Sequence, residues 1–129
     1  MSDDPRATHR RSVGALGESI AARFLESKGF AIVDRNYRKK WGEIDIIAEK
    51  GNEVRFVEVK AMSVKDFSRE KECLPEELVD SRKLKKLSRT AVLYMEKKGD
   101  DRVYQLDVVG VLLNKKERRA KCRLFEQVL

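Results

Sequence analysis

The chain has 129 residues, of which 29 are Lys or Arg, 22 are Asp or Glu and one is His, giving a net charge of +7. The lone His9 argues against Ser–His hydrolases and His-ligated zinc sites, and Cys73 and Cys122 form no CxxC zinc or redox motif. Because no apolar run is long enough to span a bilayer and residues 1–12 lack the apolar stretch of a signal peptide, we expect a cytoplasmic protein without a membrane partner.

The first half of the chain predicts one helix and three strands. Residues 1–12 are polar and contain Pro5, which predicts a flexible N-terminal arm before a single domain over 13–129. Apolar residues then recur at helical spacing and predict a helix over 12–28 that ends at Gly29. Strands are predicted over 30–37, 43–48 and 53–60, and the intervening Gly51-Asn52 turn makes the last two an antiparallel hairpin.

The second half predicts a long loop, a second helix and two more strands. Residues 61–75 show no periodicity and predict the loop, and Pro75-Glu76-Glu77 predicts the start of a helix that ends at Gly99. Valine- and leucine-rich residues over 102–113 and the segment 122–128 predict strands on either side of a basic turn. The order α β β β α β β predicts an α/β fold.

Two carboxylates interrupt otherwise apolar strands. Asp45 lies within an isoleucine-rich strand, where Asp is disfavoured, and strand alternation places Glu58 and Lys60 on one face. Carboxylates on paired strands can come within a few ångströms of each other, and Mg²⁺ binds such oxygens, with the Val59 carbonyl as an additional candidate ligand. Lys60 could then stabilise developing negative charge. The alternative is a strand-end Asp45 beside a Glu58–Lys60 ion pair, and the spacing alone leaves both interpretations open.

Glu18 is a third candidate acid for this site. It lies at the border of the apolar stripe of the first helix, among small residues that let a helix approach a sheet closely. This position can direct its carboxylate toward Asp45 and Glu58. The alternative is a surface Glu that pairs with Arg11 or Arg23.

The basic residues fall in three clusters, at 35–40, 82–89 and 115–123, which favours a polyanionic partner. We expect phosphate contacts from the first two clusters and stacking from the aromatic residue beside the first. The alternatives are a solvated helix face and a packing Trp. The candidate nucleic-acid contacts are Arg38, Lys39, Lys40, Trp41, Lys83, Lys86 and Arg89.

Four motifs resemble a known family when taken in order. They are Gly14-Ala15-Leu16-Gly17-Glu18, Gly42-Glu43-Ile44-Asp45-Ile46-Ile47, Phe56-Val57-Glu58-Val59-Lys60 and Leu106-Asp107-Val108-Val109. Together they resemble the YraN-like family of uncharacterised bacterial proteins. That family is similar to nucleases of the restriction-endonuclease-like PD-(D/E)xK kind, such as archaeal Holliday junction resolvases. The resemblance covers about residues 12–113 and implies a restriction-endonuclease-like mixed sheet flanked by helices.

The resemblance implies roles for individual residues. Asp45 and Glu58 match the metal-binding acids, Lys60 the catalytic lysine, and Glu18 the helix acid of resolvase-like enzymes. It implies a Mg²⁺- or Mn²⁺-dependent endonuclease acting on DNA, including branched or repair intermediates, with RNA as the open alternative substrate and, by analogy, a homodimer. Met62 and Gln105 stand where the family usually has Arg. These departures favour the alternative of a catalytically inactive nucleic-acid-binding module with the same fold.

Overall fold

The computed structural model describes residues 5–65, 67 and 80–129, with side chains described from residue 12 onward. Two helices and five strands are arranged in the predicted order α β β β α β β, which confirms the α/β fold class. The elements are α1 Pro5–Ser27, β1 Ala31–Lys39, β2 Gly42–Lys50, β3 Glu53–Ser63, α2 Ser81–Lys98, β4 Tyr104–Asn114 and β5 Arg119–Phe125.

The five strands form one mixed sheet in the spatial order β1-β2-β3-β4-β5. The neighbours β1 and β2, β2 and β3, and β4 and β5 are antiparallel, which confirms the predicted hairpin. Strands β3 and β4 are parallel, because the chain crosses over through α2 between them. This mixed sheet with flanking helices is the arrangement expected from the sequence.

Each helix covers one face of the sheet, and neighbouring residues of β3 separate the two cores. Phe56 is fully buried in a cluster with Leu87 and Ala91 of α2. Val57 is fully buried in a cluster with Ala21 and Leu25 of α1. Successive strand side chains point to opposite faces, so the middle of β3 is covered on both sides.

The first helix begins earlier than predicted. It starts at Pro5 rather than at residue 12, so residues 5–12 are helical, while the flexibility of the arm stays a prediction. Proline is well accommodated in the first turn of a helix, where its missing N–H would have no partner. Residues 1–4, the rest of the predicted arm, lie outside the described residues.

The boundaries after β3 also differ from the predictions. Strand β3 continues to Ser63 because its parallel pairing with β4 extends that far. The predicted helix start at 75–77 lies outside the described residues, and Asp80 caps the described helix by accepting the Lys83 N–H at 2.9 Å. The last strand is Arg119–Phe125 rather than 122–128, because the following backbone turns at Gln127, whose φ is 53°.

Two glycines of α1 offer a matched test of how closely this helix packs on the sheet. A Cβ on Gly17 would overlap the Ala61 side chain, whereas a Cβ on Gly14 would meet nothing within 4 Å. We expect Gly14→Ala to raise the free energy of unfolding by about 0.5–1 kcal/mol through helix propensity. Gly17→Ala should lower it by about 1–3 kcal/mol through overpacking. Urea denaturation measures both, and equal effects would contradict this packing.

Candidate functional site

The antiparallel ladder between β2 and β3 stops at the predicted site. Its pairing runs from Lys50 opposite Glu53 to Ile46 opposite Val57. One residue beyond, Asp45 Oδ2 accepts the Val59 backbone N–H at 2.8 Å. The Asp45 side chain therefore satisfies a backbone donor just beyond the end of the ladder. This contact explains why the strand tolerates an Asp at this position.

Pairing of β2 with β3 up to Ile46 and Val57 brings the next residues, Asp45 and Glu58, together. Their carboxyl groups hydrogen-bond to each other, and burial together with the negative charge of Asp45 raises the pKa of Glu58 to about 8. Burial also raises the pKa of Asp45, against the lowering effect of the Val59 N–H. Near neutral pH the pair therefore retains a proton between its carboxyl groups. A divalent cation would remove the same repulsion by replacing that proton.

Glu18 of α1 lies beside this acid pair. Burial and then the charge of Asp45 raise its pKa, while the positive charges of Arg35 and Arg38 lower it. With the Asn36 amide oriented so that its nitrogen faces Glu18, that nitrogen is 2.9 and 3.2 Å from the two carboxylate oxygens. Sequence reasoning missed Asn36, although its positive φ of 55° marks an unusual backbone position.

Glu18 does not complete a three-acid ligand set. Among the side chains that the structure describes, those of residues 12–65, 67 and 80–129, no three His, Cys, Asp or Glu come together as a group that could hold a metal ion. The site is therefore a pair of carboxylates with Glu18 nearby. Mg²⁺ is commonly held by one or two carboxylates, with water and substrate phosphate completing its coordination. The donors present fit such an ion, and the Val59 carbonyl stays a predicted ligand.

Lys60 and Lys83 line the same cleft beside β3. This cleft has a volume of about 550 Å³ and is also lined by Met62. Lys83, on the first turn of α2, also lines the neighbouring cleft that contains Glu58, and its charge lowers the pKa of both Asp45 and Glu58. Sequence reasoning assigned Lys83 only to phosphate contact. No local spacing predicts this position, because it depends on where the crossover places α2.

The cleft that contains Glu58 is strongly basic. It has a volume of about 560 Å³, and Glu43, Gly42 and Leu87 also contribute to its walls. All the predicted nucleic-acid contacts except Arg38 make up the rest of its lining. They are Lys39, Lys40, Trp41, Lys83, Lys86 and Arg89.

Arg38 and the third basic cluster do not line this cleft. Arg38 is the exception among the predicted contacts, because it forms an exposed 3.2 Å ion pair with Glu43. The third basic cluster is also separate from the acid pair. Its Lys115, Arg118 and Arg119 line a different cleft beside Leu16 of α1. Two of the three clusters predicted from sequence therefore surround the acidic site.

No helix in the described ranges is long and apolar enough to cross a membrane.

The Uncharacterised protein family UPF0102 matches residues 17–111 of the chain. The chain belongs to this family. The match confirms the YraN-like resemblance, and the stretch it covers includes Glu18, Asp45, Glu58, Lys60 and Lys83.

Several bacterial UPF0102 proteins are similar over nearly their whole length. The UPF0102 protein of Moorella thermoacetica is 42% identical over 112 residues, which cover 86% of this chain and 89% of the relative. That of Alkaliphilus metalliredigens is 38% identical, covering 84% and 91%. That of Dictyoglomus thermophilum is 36% identical, covering 83% and 87%. These relatives share the family and carry no named activity.

This UPF0102 chain also contains a buried ion cluster around Asp107. Asp107 has no exposed surface and accepts from Arg55 Nη1 at 3.0 Å and from Gln105 Nε2 at 2.8 Å. Arg55 reaches Glu126 Oε2 at 2.7 Å and Glu53 Oε2 at 3.0 Å as well. Asp107 therefore has a structural role. Arg55 stands opposite Gln105 in the ladder and supplies a positive charge beside Gln105, where the resemblance implied an Arg.

The acid pair predicts a specific pH dependence of stability for this UPF0102 protein. The pKa of Glu58, raised to about 8 by burial and by Asp45, lies above the ordinary value of about 4.3 for Glu. The folded state therefore binds the proton more tightly than the unfolded state does. Stability should be complete at low pH and fall as pH rises toward 8.

Glu58→Gln should remove that fall. In EDTA, we expect the variant to exceed the wild type in free energy of unfolding by on the order of 2 kcal/mol at pH 9, with a smaller difference at pH 5. Urea denaturation at both values measures it. The exposed Glu26→Gln on α1 is the matched control, and parallel pH curves for Glu58→Gln and wild type would contradict the buried pair.

Proposed function

We propose that this protein is a metal-dependent endonuclease that hydrolyses phosphodiester bonds in DNA, using Mg²⁺ or Mn²⁺. The observation that carries the proposal is the hydrogen-bonded pair of Asp45 and Glu58, of which Glu58 lines a cleft rich in lysine and arginine. Carboxylates that repel each other are costly without a cation, and basic walls attract a phosphate backbone. The acid pair and the basic walls would both contribute to phosphodiester hydrolysis.

Each component has a role in the proposed chemistry. Asp45 and Glu58 would hold the cation, and the cation would activate water and offset charge on the phosphate. Asp45 is oriented by the Val59 N–H at 2.8 Å, so its remaining carboxylate oxygen is held in place. Lys60 and Lys83 would stabilise the negative charge that develops as water adds to phosphorus and the ester P–O bond breaks.

The departures from the family's arginines are compatible with this proposal. Gln105 lies in the buried cluster with Asp107, and Arg55 supplies the positive charge there. Met62 packs against Val108 as well as lining the cleft of Lys60. Neither residue alters the acid pair. The alternative of an inactive binding module is therefore supported only by the sequence departures at Met62 and Gln105. No contact made by the acid pair supports it.

A cleavage panel tests the proposal. Purified protein is incubated with plasmid, linear duplex, four-way junction and flap DNA, and with single-stranded RNA, in Mg²⁺, Mn²⁺ or EDTA. We expect cleavage of at least one DNA substrate that needs the metal. Binding without cleavage on every substrate, with no heat of Mg²⁺ or Mn²⁺ binding by calorimetry, would instead establish the binding module.

Light scattering addresses the expected homodimer in the same experiment. Paired cuts at a symmetric junction need two active sites, so a dimer should form alone or on DNA. Exclusively monomeric protein in both conditions would contradict paired cutting and leave single-strand cleavage.

A further inference from the structure

The single Trp of the chain stands at the mouth of the basic cleft. Trp41 lies in the turn between β1 and β2 and keeps 40% of its surface exposed. Its side chain borders the basic cleft beside Glu58. It also borders a second hollow of about 410 Å³ lined by Leu93, Glu96 and Lys97 of α2. The Trp41 ring, which separates the two hollows, is therefore accessible to a ligand and is not buried in the core.

The turn that carries Trp41 is fixed against α2. Gly42 packs so closely on Thr90 that a Cβ there would overlap the Thr90 hydroxyl. Thr90 is fully buried, and its hydroxyl donates to the Lys86 carbonyl at 2.8 Å. On the other side, Lys97 Nζ lies 5.6 Å from the centre of the Trp41 ring. The ring is therefore held in place before any ligand arrives, which reduces the entropy cost of binding.

The charges around the ring indicate the class of ligand. Lys39 and Lys40 precede it in the chain, and Lys86 and Arg89 line the same cleft from α2. Glu96 lies in the second hollow, where its carboxylate disfavours a phosphate. A polyanion would therefore run through the basic cleft and place an uncharged, flat group on Trp41. Nucleobases on a phosphate backbone have this combination of charge and shape.

We propose that Trp41 stacks an unpaired nucleobase while the cleft lysines and Arg89 hold the flanking phosphates, so that single-stranded nucleotides lie beside the acid pair. Bases inside a duplex already cover each other's faces, and a protein aromatic reaches them only where the strand is open. This inference rests on the proposed function and deepens it. The preferred substrate then has an unpaired stretch next to the bond that is cut, as in a flap or a junction.

Intrinsic fluorescence tests the stacking without cleavage. Because the chain has one Trp, its emission reports Trp41 alone. In EDTA and low salt, the full chain is titrated with oligothymidylate, with an abasic deoxyribose-phosphate strand of the same length, and with the matching duplex. We expect quenching by oligothymidylate, little quenching by the abasic strand, and weaker binding of the duplex. Equal quenching by the abasic strand would overturn the proposal.

Affinities of variants supply the second measurement, with fluorescein-labelled strands as the probe. Trp41→Ala should weaken oligothymidylate binding roughly 5- to 100-fold, and leave abasic-strand binding unchanged, since stacking is lost and charge is kept. Trp41→Phe should restore part of the affinity, which separates stacking from loss of folding. Lys40→Ala should weaken both probes, whereas Lys28→Ala, the same charge change on the exposed α1–β1 connection, should change neither by more than about 2-fold.

The outcomes distinguish this inference from the nuclease proposal. Wild-type affinity of Trp41→Ala for oligothymidylate, or equally tight binding of a polyglutamate peptide, would overturn the stacking site even if DNA is cleaved. Conversely, base-dependent quenching with no cleavage on any substrate would uphold the stacking site and contradict the endonuclease. Thermal denaturation of Trp41→Ala and Trp41→Phe confirms that both variants are folded in the assay.

Discussion

Asp45→Asn and Glu58→Gln are expected to cleave DNA on the order of 10³-fold more slowly than the wild type in Mg²⁺. Each substitution removes one charged ligand of the proposed cation, whose charge stabilisation contributes several kcal/mol to such reactions. In Asp45→Asn the oxygen that accepts the Val59 N–H at 2.8 Å can still be supplied by the amide, so the local backbone should be preserved. Initial rates on the best substrate of the cleavage panel measure the effect.

The controls separate lost chemistry from lost folding. Both variants remove charge repulsion within a buried acid pair, so both should unfold at the same temperature as the wild type or higher. Glu26→Gln changes the same residue type on the exposed face of α1 and should cleave at the wild-type rate. Unchanged cleavage in Asp45→Asn and Glu58→Gln would remove the acid pair from the mechanism.

The acid pair could be predicted from the sequence because strand alternation and one hairpin are local properties. Asp45 and Glu58 are separated by a tight turn, so pairing of β2 with β3 brings them together without any information from distant parts of the chain. The neighbours Asn36 and Lys83 could not be predicted in the same way. Asn36 depends on an unusual backbone angle in β1, and Lys83 depends on the packing of a crossover helix.

Arg55→Met is expected to lower the free energy of unfolding by about 3–5 kcal/mol. It leaves the carboxylate of Asp107, which has no exposed surface, without its positive partner at 3.0 Å. Breaking a buried ion pair on one side is strongly destabilising because the other charge stays buried. The Gln105 amide and the Gln127 N–H still donate to Asp107. These hydrogen bonds reduce the loss of unfolding free energy but do not neutralise the Asp107 charge.

An exposed ion pair provides the comparison for Arg55. Arg119 and Glu117 lie 3.9 Å apart, with side chains 64% and 54% exposed, so Arg119→Met should cost at most about 1 kcal/mol. Urea denaturation of both variants at neutral pH measures the difference. The double substitution Arg55→Met with Asp107→Leu should recover part of the loss, because it removes the orphaned charge. Equal losses for Arg55→Met and Arg119→Met would show that the buried cluster contributes no more than a surface pair.

The order of elements was also predictable, whereas several of their boundaries were not. Periodic apolar residues and Gly29, Gly51 and Gly99 mark the turns and helix ends, and positive φ angles at these glycines agree with that role. The start of α1 at Pro5 was missed because polar residues carry no apolar period. The end of β5 was missed because residues after Phe125 return to β4, where the Val128 N–H donates to the Leu106 carbonyl at 2.9 Å.

The two walls of the basic cleft come from separate parts of the chain, with the β1–β2 turn on one side and α2 on the other. A polyanion that bridges them would bind only while α2 is docked on the sheet. Binding free energy would then add to the free energy needed for α2 to open locally. The amide protons of α2 would consequently exchange with solvent more slowly on DNA, so substrate occupancy and the local rigidity of this helix are thermodynamically linked.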